Sequence, residues 1–123
     1  MTNFQKVREF MLAFGHGAPE KYTELTMEQL DLRLRLIEEE LNEVEEAMLE
    51  NEPVNIAKEL TDLLYVVYGT AAAYGIEIDE CFDAVHKSNM SKLNADGKPS
   101  YREDGKILKG DLYKPADLTD IVK

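Results

Sequence analysis

Residues 26–50 read TMEQLDLRLRLIEEELNEVEEAMLE. At about 100° per residue, Leu30, Leu34, Ile37, Leu41, Val44 and Met48 fall on one narrow stripe with alternating spacings of four and three, the pattern of a helix's packed seam. Thr26-Met27-Glu28-Gln29 supplies a capping box to start that helix. Asp31, Arg35, Glu38, Asn42 and Glu45 share another side, expected to be solvated. Leu32 and Leu36 lie well round from the seam, and Glu39, Glu43 and Glu40 continue their strip. A second packed face therefore begins apolar and turns acidic halfway along.

The next helix repeats the pattern more sharply. Pro53 suits a first turn and Gly75 a stop, predicting a helix from Pro53 to Tyr74. Ile56, Leu60, Leu63, Leu64, Val67, Ala71 and Tyr74 share one broad face; Glu59 and Asp62 lie on the other, continued by Val66, Gly69 and Ala73. An earlier helix is predicted from about Asn3 to Phe14, stopped by Gly15-His16-Gly17, and a later one from about Asp79 to Leu93. Asp96-Gly97 and Asp104-Gly105 then mark turns in an irregular tail, with room for a small hairpin around Lys106–Leu108. The fold class expected is all-α: a four-helix-bundle-type, up-and-down protomer with an irregular C-terminal tail. One domain is expected over residues 1–123, with a helical core to about residue 94 and a Lys-bearing tail from about 95. Two-faced apolar helices further predict that the protomer does not stand alone.

Composition narrows the function. The 123 residues carry 25 acidic and 14 basic side chains, a net charge of −11, which repels the phosphates of a polynucleotide. The charge is uneven: residues 1–83 carry 19 acidic and 6 basic side chains, residues 84–123 carry 6 and 8. A single cysteine, Cys81, leaves no partner for an intramolecular disulfide or a cysteine-based zinc site. TNFQKVREFM at the start has no apolar stretch of a secretory signal, and the longest uncharged run, Leu63–Ile76, is too short and too rich in Tyr, Gly and Thr to span a bilayer. No membrane association and a reducing, cytoplasmic setting are expected.

Glu59 and Asp62 are, apart from Lys58, the only charged residues between Val54 and Ile76. Anions on so apolar a helix are costly to bury unless something pairs with them. Lys58, Arg33 and Arg35 are the local ion-pair candidates, and they are few against five carboxylates on two adjacent helices. A hard divalent cation removes the repulsion, and oxygen-only ligands favour Mg²⁺, Mn²⁺ or Ca²⁺. A di-iron bundle needs two Glu-x-x-His pairs; Asp83-Ala84-Val85-His86 is the nearest approach, and His86 is expected at the helix surface or on the substrate side. An EF-hand fails because Lys92, or Ser100 and Arg102, would occupy ligand positions. A P-loop is absent: Gly97-Lys98 and Gly105-Lys106 lack the earlier glycine and the following Ser or Thr.

RLIEEELNEVEEA followed by KELTDLLYVVYG resembles the signature of the all-α nucleoside triphosphate pyrophosphohydrolases, the MazG-like and phosphoribosyl-ATP pyrophosphohydrolase-like proteins. The two-part motif, Glu-Glu-x-x-Glu and then Glu-x-x-Asp, is filled by Glu39, Glu40 and Glu43, then Glu59 and Asp62. HKSNMSKLNADGKP and DGKILKGDLYKPADL resemble the tail of the phosphoribosyl-ATP pyrophosphohydrolase-like subgroup. The resemblance implies a helical dimer or tetramer in which Mg²⁺, with Mn²⁺ as a substitute, bridges carboxylates and substrate phosphates. It also implies cleavage of a nucleoside triphosphate between its α- and β-phosphates. Glu40, Glu43, Glu59 and Asp62 become the expected principal ligands; Glu39 becomes a further ligand or the base that orients water, and Glu39 and Glu40 are the catalytic candidates. Lys87, Asn89, Lys92, Lys106 and Lys109 are the expected substrate-side groups, with Asn89 and Lys92 one helical turn apart. Lys98 is a weaker member of that set, and Tyr65 and Tyr113 are candidates for base or ribose contacts. The competing class is a non-catalytic helical oligomer that binds a nucleotide or a partner protein.

Overall fold

Two threonines start the first two helices. In the computed structural model, which describes residues 1–123, Thr2 caps α1 (Asn3–Ala13) and Thr26 caps α2 (Met27–Glu50). The Thr2 and Thr26 hydroxyls accept from the N–H groups of Gln5 and Gln29 at 3.1 and 3.2 Å. Each glutamine side chain accepts in return from the threonine N–H, at 2.7 and 2.8 Å. Two reciprocal capping boxes thus satisfy end groups that would otherwise lack partners. α3 (Pro53–Tyr74) begins on its proline behind Glu52, whose carboxylate accepts from Val54 and Asn55 N–H. A connection of only Asn51 and Glu52 separates it from α2, and Asn51 takes the left-handed conformation that so tight a reversal needs (φ 55°).

α4 (Ile78–Met90) ends earlier than the expected Leu93. The reason lies in the tail: Ser88 Oγ donates to the Lys114 carbonyl at 2.7 Å, and Lys114 N–H donates to Ser91 Oγ at 2.9 Å. The residues that would continue the helix are tied to a distant segment instead. The tail forms one isolated antiparallel bridge, Tyr101 to Ile107, with Arg102 N–H donating to the Lys106 carbonyl at 2.8 Å. That is the small hairpin, reduced to a single bridge. The four helices and absence of any extended strand make the chain all-α, and no helix is long and apolar enough to cross a membrane.

The chain divides into two compact units, residues 1–76 and 77–123, so α4 groups with the tail. In the first unit α3 packs against both α1 and α2. Its core is Phe4, Val7 and Met11 of α1, Val44 and Ala47 of α2, and Gly69, Ala71 and Ala72 of α3.

The buried side of α2 differs from the seam expected. Arg33, Leu36, Ile37, Glu40, Val44 and Ala47 form the covered strip, while Leu34, Leu41 and Met48 are exposed, as are Leu60, Leu64 and Val67 on α3. The acid-bearing side of α3 turns inward, with Glu59 buried, and much of its apolar face turns out. α2 has two apolar sides and the unit supplies one principal neighbour, α3, so one side is left uncovered. The expected solvated side holds: Asp31, Arg35, Glu38, Asn42 and Glu45 are all exposed, with Arg35 donating to Asp31 at 2.6 Å.

Gly75 ends α3 with φ 72°, and a Cβ there would lie 2.1 Å from the Lys21 carbonyl oxygen. Gly75→Ala is therefore expected to destabilise the first unit by at least about 2 kcal/mol, from left-handed strain and a backbone clash together. Urea unfolding should show a lower midpoint at unchanged slope; an unchanged midpoint would contradict this account of the turn.

Candidate metal centre

α2 and α3 run back along each other. Arg33 approaches Gly69 near one end of the pair, and Glu43 comes close to Glu59 nearer the short connection. Glu40 and Glu43, three residues apart, project from one side of α2. Together with Glu59 they bring three carboxylate oxygens within 4.8 Å of one another. Glu59 is buried, Glu40 half-buried and Glu43 exposed, so the cluster opens outward along one side. Three full charges so placed would repel by roughly 3 kcal/mol per pair at an effective dielectric of 20.

The protein registers that repulsion. Burial, then the charges of Asp62 and Glu59, push the Glu40 carboxyl above its ordinary range. Glu43 is pushed up by its hydrogen bond to Glu59, followed by the charges of Glu59 and Glu40. Glu40 Oε2 and Glu59 Oε2 are buried with no hydrogen-bond partner at all. Buried polar atoms in folded proteins are nearly always satisfied, so two orphaned oxygens side by side point to a missing partner.

Asp62 lies near enough to raise Glu40 but is held by Lys58, whose Nζ is 2.6 Å from Asp62 Oδ2 and 3.5 Å from Glu59 Oε1. Lys58, one of the few local ion-pair candidates, is the cluster's one direct counter-ion, raised by its hydrogen bond to Asp62. An exposed i,i+4 pair of this kind is weak and breakable. Glu39 is exposed and stands outside the trio, contributing a small like-charge effect on Glu40.

The expected substrate-side residues lie in the second unit. Lys87 is exposed beside a cavity of about 300 Å³ that Ser88, Ser91 and Lys114 also line. Asn89 is exposed on the last turn of α4. Lys92 is past the helix end, so the two do not share a helical face as expected; a tight turn joins them, Lys92 N–H donating to the Asn89 carbonyl at 3.1 Å. The Lys92 carbonyl accepts from Gly110 N–H at 2.8 Å, and Lys109 Nζ sits 4.9 Å from the centre of the Tyr113 ring. Lys106 and Lys98 are exposed. His86 is at the surface of α4, and Cys81 is buried, its thiol pushed up chiefly by burial.

The phosphoribosyl-ATP pyrophosphohydrolase family matches residues 7–89, more than half of the chain and both acidic helices. The chain belongs to that family. It is thereby a member of the all-α MazG-like nucleoside triphosphate pyrophosphohydrolase superfamily, and membership points to a hydrolase acting on phosphoric anhydrides. A similar protein is uncharacterized protein L479 of Acanthamoeba polyphaga mimivirus, 34% identical over 112 residues. The match covers 88% of this chain but 42% of the relative, so the chain spans less than half of that protein's length.

Members of this pyrophosphohydrolase family are typically metal-dependent, and the residues fit a divalent cation. The donors are all hard carboxylate oxygens, two of them buried and unpartnered. One residue beside this groove escaped the sequence reading. Arg33, taken as an ion-pair candidate, is buried and meets no carboxylate. The helix phase that turns Glu40 inward turns Arg33 inward too, seven residues earlier, and that was the available signal.

Proposed function

We propose that the protein is a Mg²⁺-dependent nucleoside triphosphate pyrophosphohydrolase, cleaving the α–β phosphoanhydride to give a monophosphate and pyrophosphate, with Mn²⁺ as a substitute. The observation that carries this reading is the Glu40–Glu43–Glu59 trio with its two orphaned buried oxygens. When bound, a divalent cation supplies charge neutralisation for the phosphates and makes a water more acidic. Glu40, Glu43 and Glu59 would hold it, and Asp62 would join them on exchanging its contact with Lys58. Glu39, exposed at the rim, accepts the proton of the attacking water or adds a ligand. Lys87, Asn89, Lys92, Lys106 and Lys109 serve the outer phosphates, and Tyr113 the base or sugar. The protein works in the cytoplasm, and the net charge of −11 keeps polynucleotides away.

A second reading, a non-catalytic helical oligomer, draws on the Lys58 ion pairs as a built-in substitute for a cation. Rates over a panel of common and modified triphosphates, with Mg²⁺ and with excess chelator, separate the two. Turnover that stops in chelator supports the enzyme; no turnover of any triphosphate, or turnover indifferent to chelator, contradicts it.

We also propose a homodimer or homotetramer, supported by the exposed Leu34, Leu41 and Met48 on α2 and Leu60, Leu64 and Val67 on α3. Light scattering should give a multiple of 14.0 kDa, and Leu41→Asp should shift the mass toward one copy. A wild type that stays at one copy would overturn the assembly.

A further inference from the structure

Arg33 sits against a cavity of about 330 Å³ in the first unit. The residue is 8% exposed; its Nε has no partner, and its Nη1 points at Met11 Sδ, 3.6 Å away. No carboxylate pairs with it, although the chain carries 25 acidic side chains. A guanidinium has five N–H donors and no acceptor, and leaving its buried Nε–H unpartnered is unfavourable. Room for the group is made by Gly69, where a Cβ would come within 3.1 Å of Nη1.

His16 also lines the cavity, and the rest of its wall is largely apolar. Phe10 and Tyr65 meet edge to face, with centroids 5.5 Å apart, and Leu36, Val66 and Met11 complete the walls. A mostly apolar pocket with a few polar groups, here Arg33 and His16, is the usual form of a small-molecule site, and aromatic and sulfur-bearing walls suit a planar ring. Arg33 precedes Glu40 by two helical turns on the same side of α2, about 10 Å along the helix axis. One molecule spanning that distance along α2 can place its phosphates at the carboxylates and its base at Arg33.

We infer that this cavity is a nucleobase pocket in which Arg33 donates to a ring carbonyl oxygen, selecting guanine, uracil, thymine or cytosine nucleotides over adenine nucleotides. The inference rests on the reading of the protein as a nucleotide hydrolase. Adenine is the one common base without a carbonyl oxygen. It presents an amino donor where guanine presents the O6 acceptor that, with N7, takes an arginine in two parallel hydrogen bonds. The site therefore disfavours adenosine triphosphate and its phosphoribosyl derivative, which keeps an adenine-derived base.

The test compares kcat/KM for GTP, UTP, TTP, CTP and ATP in the wild type and in Arg33→Met. It adds the Arg33 Nε–H resonance of the wild type titrated with GMP, UMP and AMP in chelator. Oxo-base triphosphates are expected to exceed ATP by about ten- to a hundredfold, and Arg33→Met should bring the ratio near one. GMP and UMP should shift the Arg33 resonance, AMP should not. Methionine fills similar space without a buried charge, so the variant should melt no lower than the wild type. ATP taken as well as the others, or a preference that survives in Arg33→Met, overturns the pocket while leaving the hydrolase reading intact. A change of oligomeric mass in Arg33→Met also overturns it, because the guanidinium would then be answering a carboxylate of a second copy. If no triphosphate is hydrolysed, the hydrolase reading fails, and the monophosphate titration alone decides the pocket.

Discussion

Replacing Glu59 by glutamine is expected to lower triphosphate hydrolysis by at least a hundredfold, roughly the upper end of what loss of a metal site's supporting group causes. Glu59 is the most buried of the three carboxylates, and one of its oxygens has no other partner. The amide keeps the shape but not the charge, and its nitrogen faces the neighbouring Glu40 and Glu43 as a donor. The metal-free variant should therefore melt no lower than the wild type, because one of three crowded negative charges has gone. Rates and thermal denaturation together make the check: lost activity with retained stability identifies a functional carboxylate. Full activity in Glu59→Gln, or in Glu43→Gln, refutes the assignment.

Adding Mg²⁺ at a hundredfold excess over its dissociation constant is expected to stabilise the wild type by about 2.7 kcal/mol, which raises the melting temperature by roughly 10 °C in a domain of this length. The gain comes from a site present only when α2 and α3 are folded together. It should vanish in Glu59→Gln. Proton linkage adds a direction. Glu40 and Glu43 have raised pKa values in the metal-free fold, so their repulsion destabilises that fold at pH above those values and is relieved as pH falls through them. Protons then occupy the site, and the Mg²⁺ increment should shrink on mild acidification. Differential scanning calorimetry across pH is the measurement; an increment equal in Glu59→Gln would place the cation elsewhere.

The helix starts and stops were legible because the rules that set them are local. Thr2 and Thr26 with their glutamines, Pro53 and Gly75 each act over three or four residues, and each does what its sequence neighbours imply. The end of α4 was not legible, because Ser88 and Ser91 are claimed by Lys114, more than twenty residues away. The apolar seam of α2 was visible as a periodicity, but periodicity does not say what covers it; α3 covers the neighbouring strip and leaves Leu34, Leu41 and Met48 in the open.

The same limit applies to the site. Helix phase puts Glu39, Glu40 and Glu43 on one strip of α2 and Glu59 and Asp62 on one side of α3, the resemblance makes them ligands, and Glu40, Glu43 and Glu59 do meet. Helix phase marks Lys58 as an ion-pair candidate, but its reach to Asp62 depends on a rotamer that phase does not set. Arg33 stands in the sequence as an ion-pair candidate, yet the fold gives it no carboxylate. Its burial follows from the missing side chain at Gly69, on another helix thirty-six positions later.

The most direct test of the central claim is the ³¹P spectrum of a triphosphate incubated with the protein and Mg²⁺, beside the same reaction with Glu59→Gln. The account predicts equal amounts of nucleoside monophosphate and pyrophosphate from the wild type and almost none from the variant. Nucleoside diphosphate with orthophosphate, or the same product yield from both proteins, would contradict it.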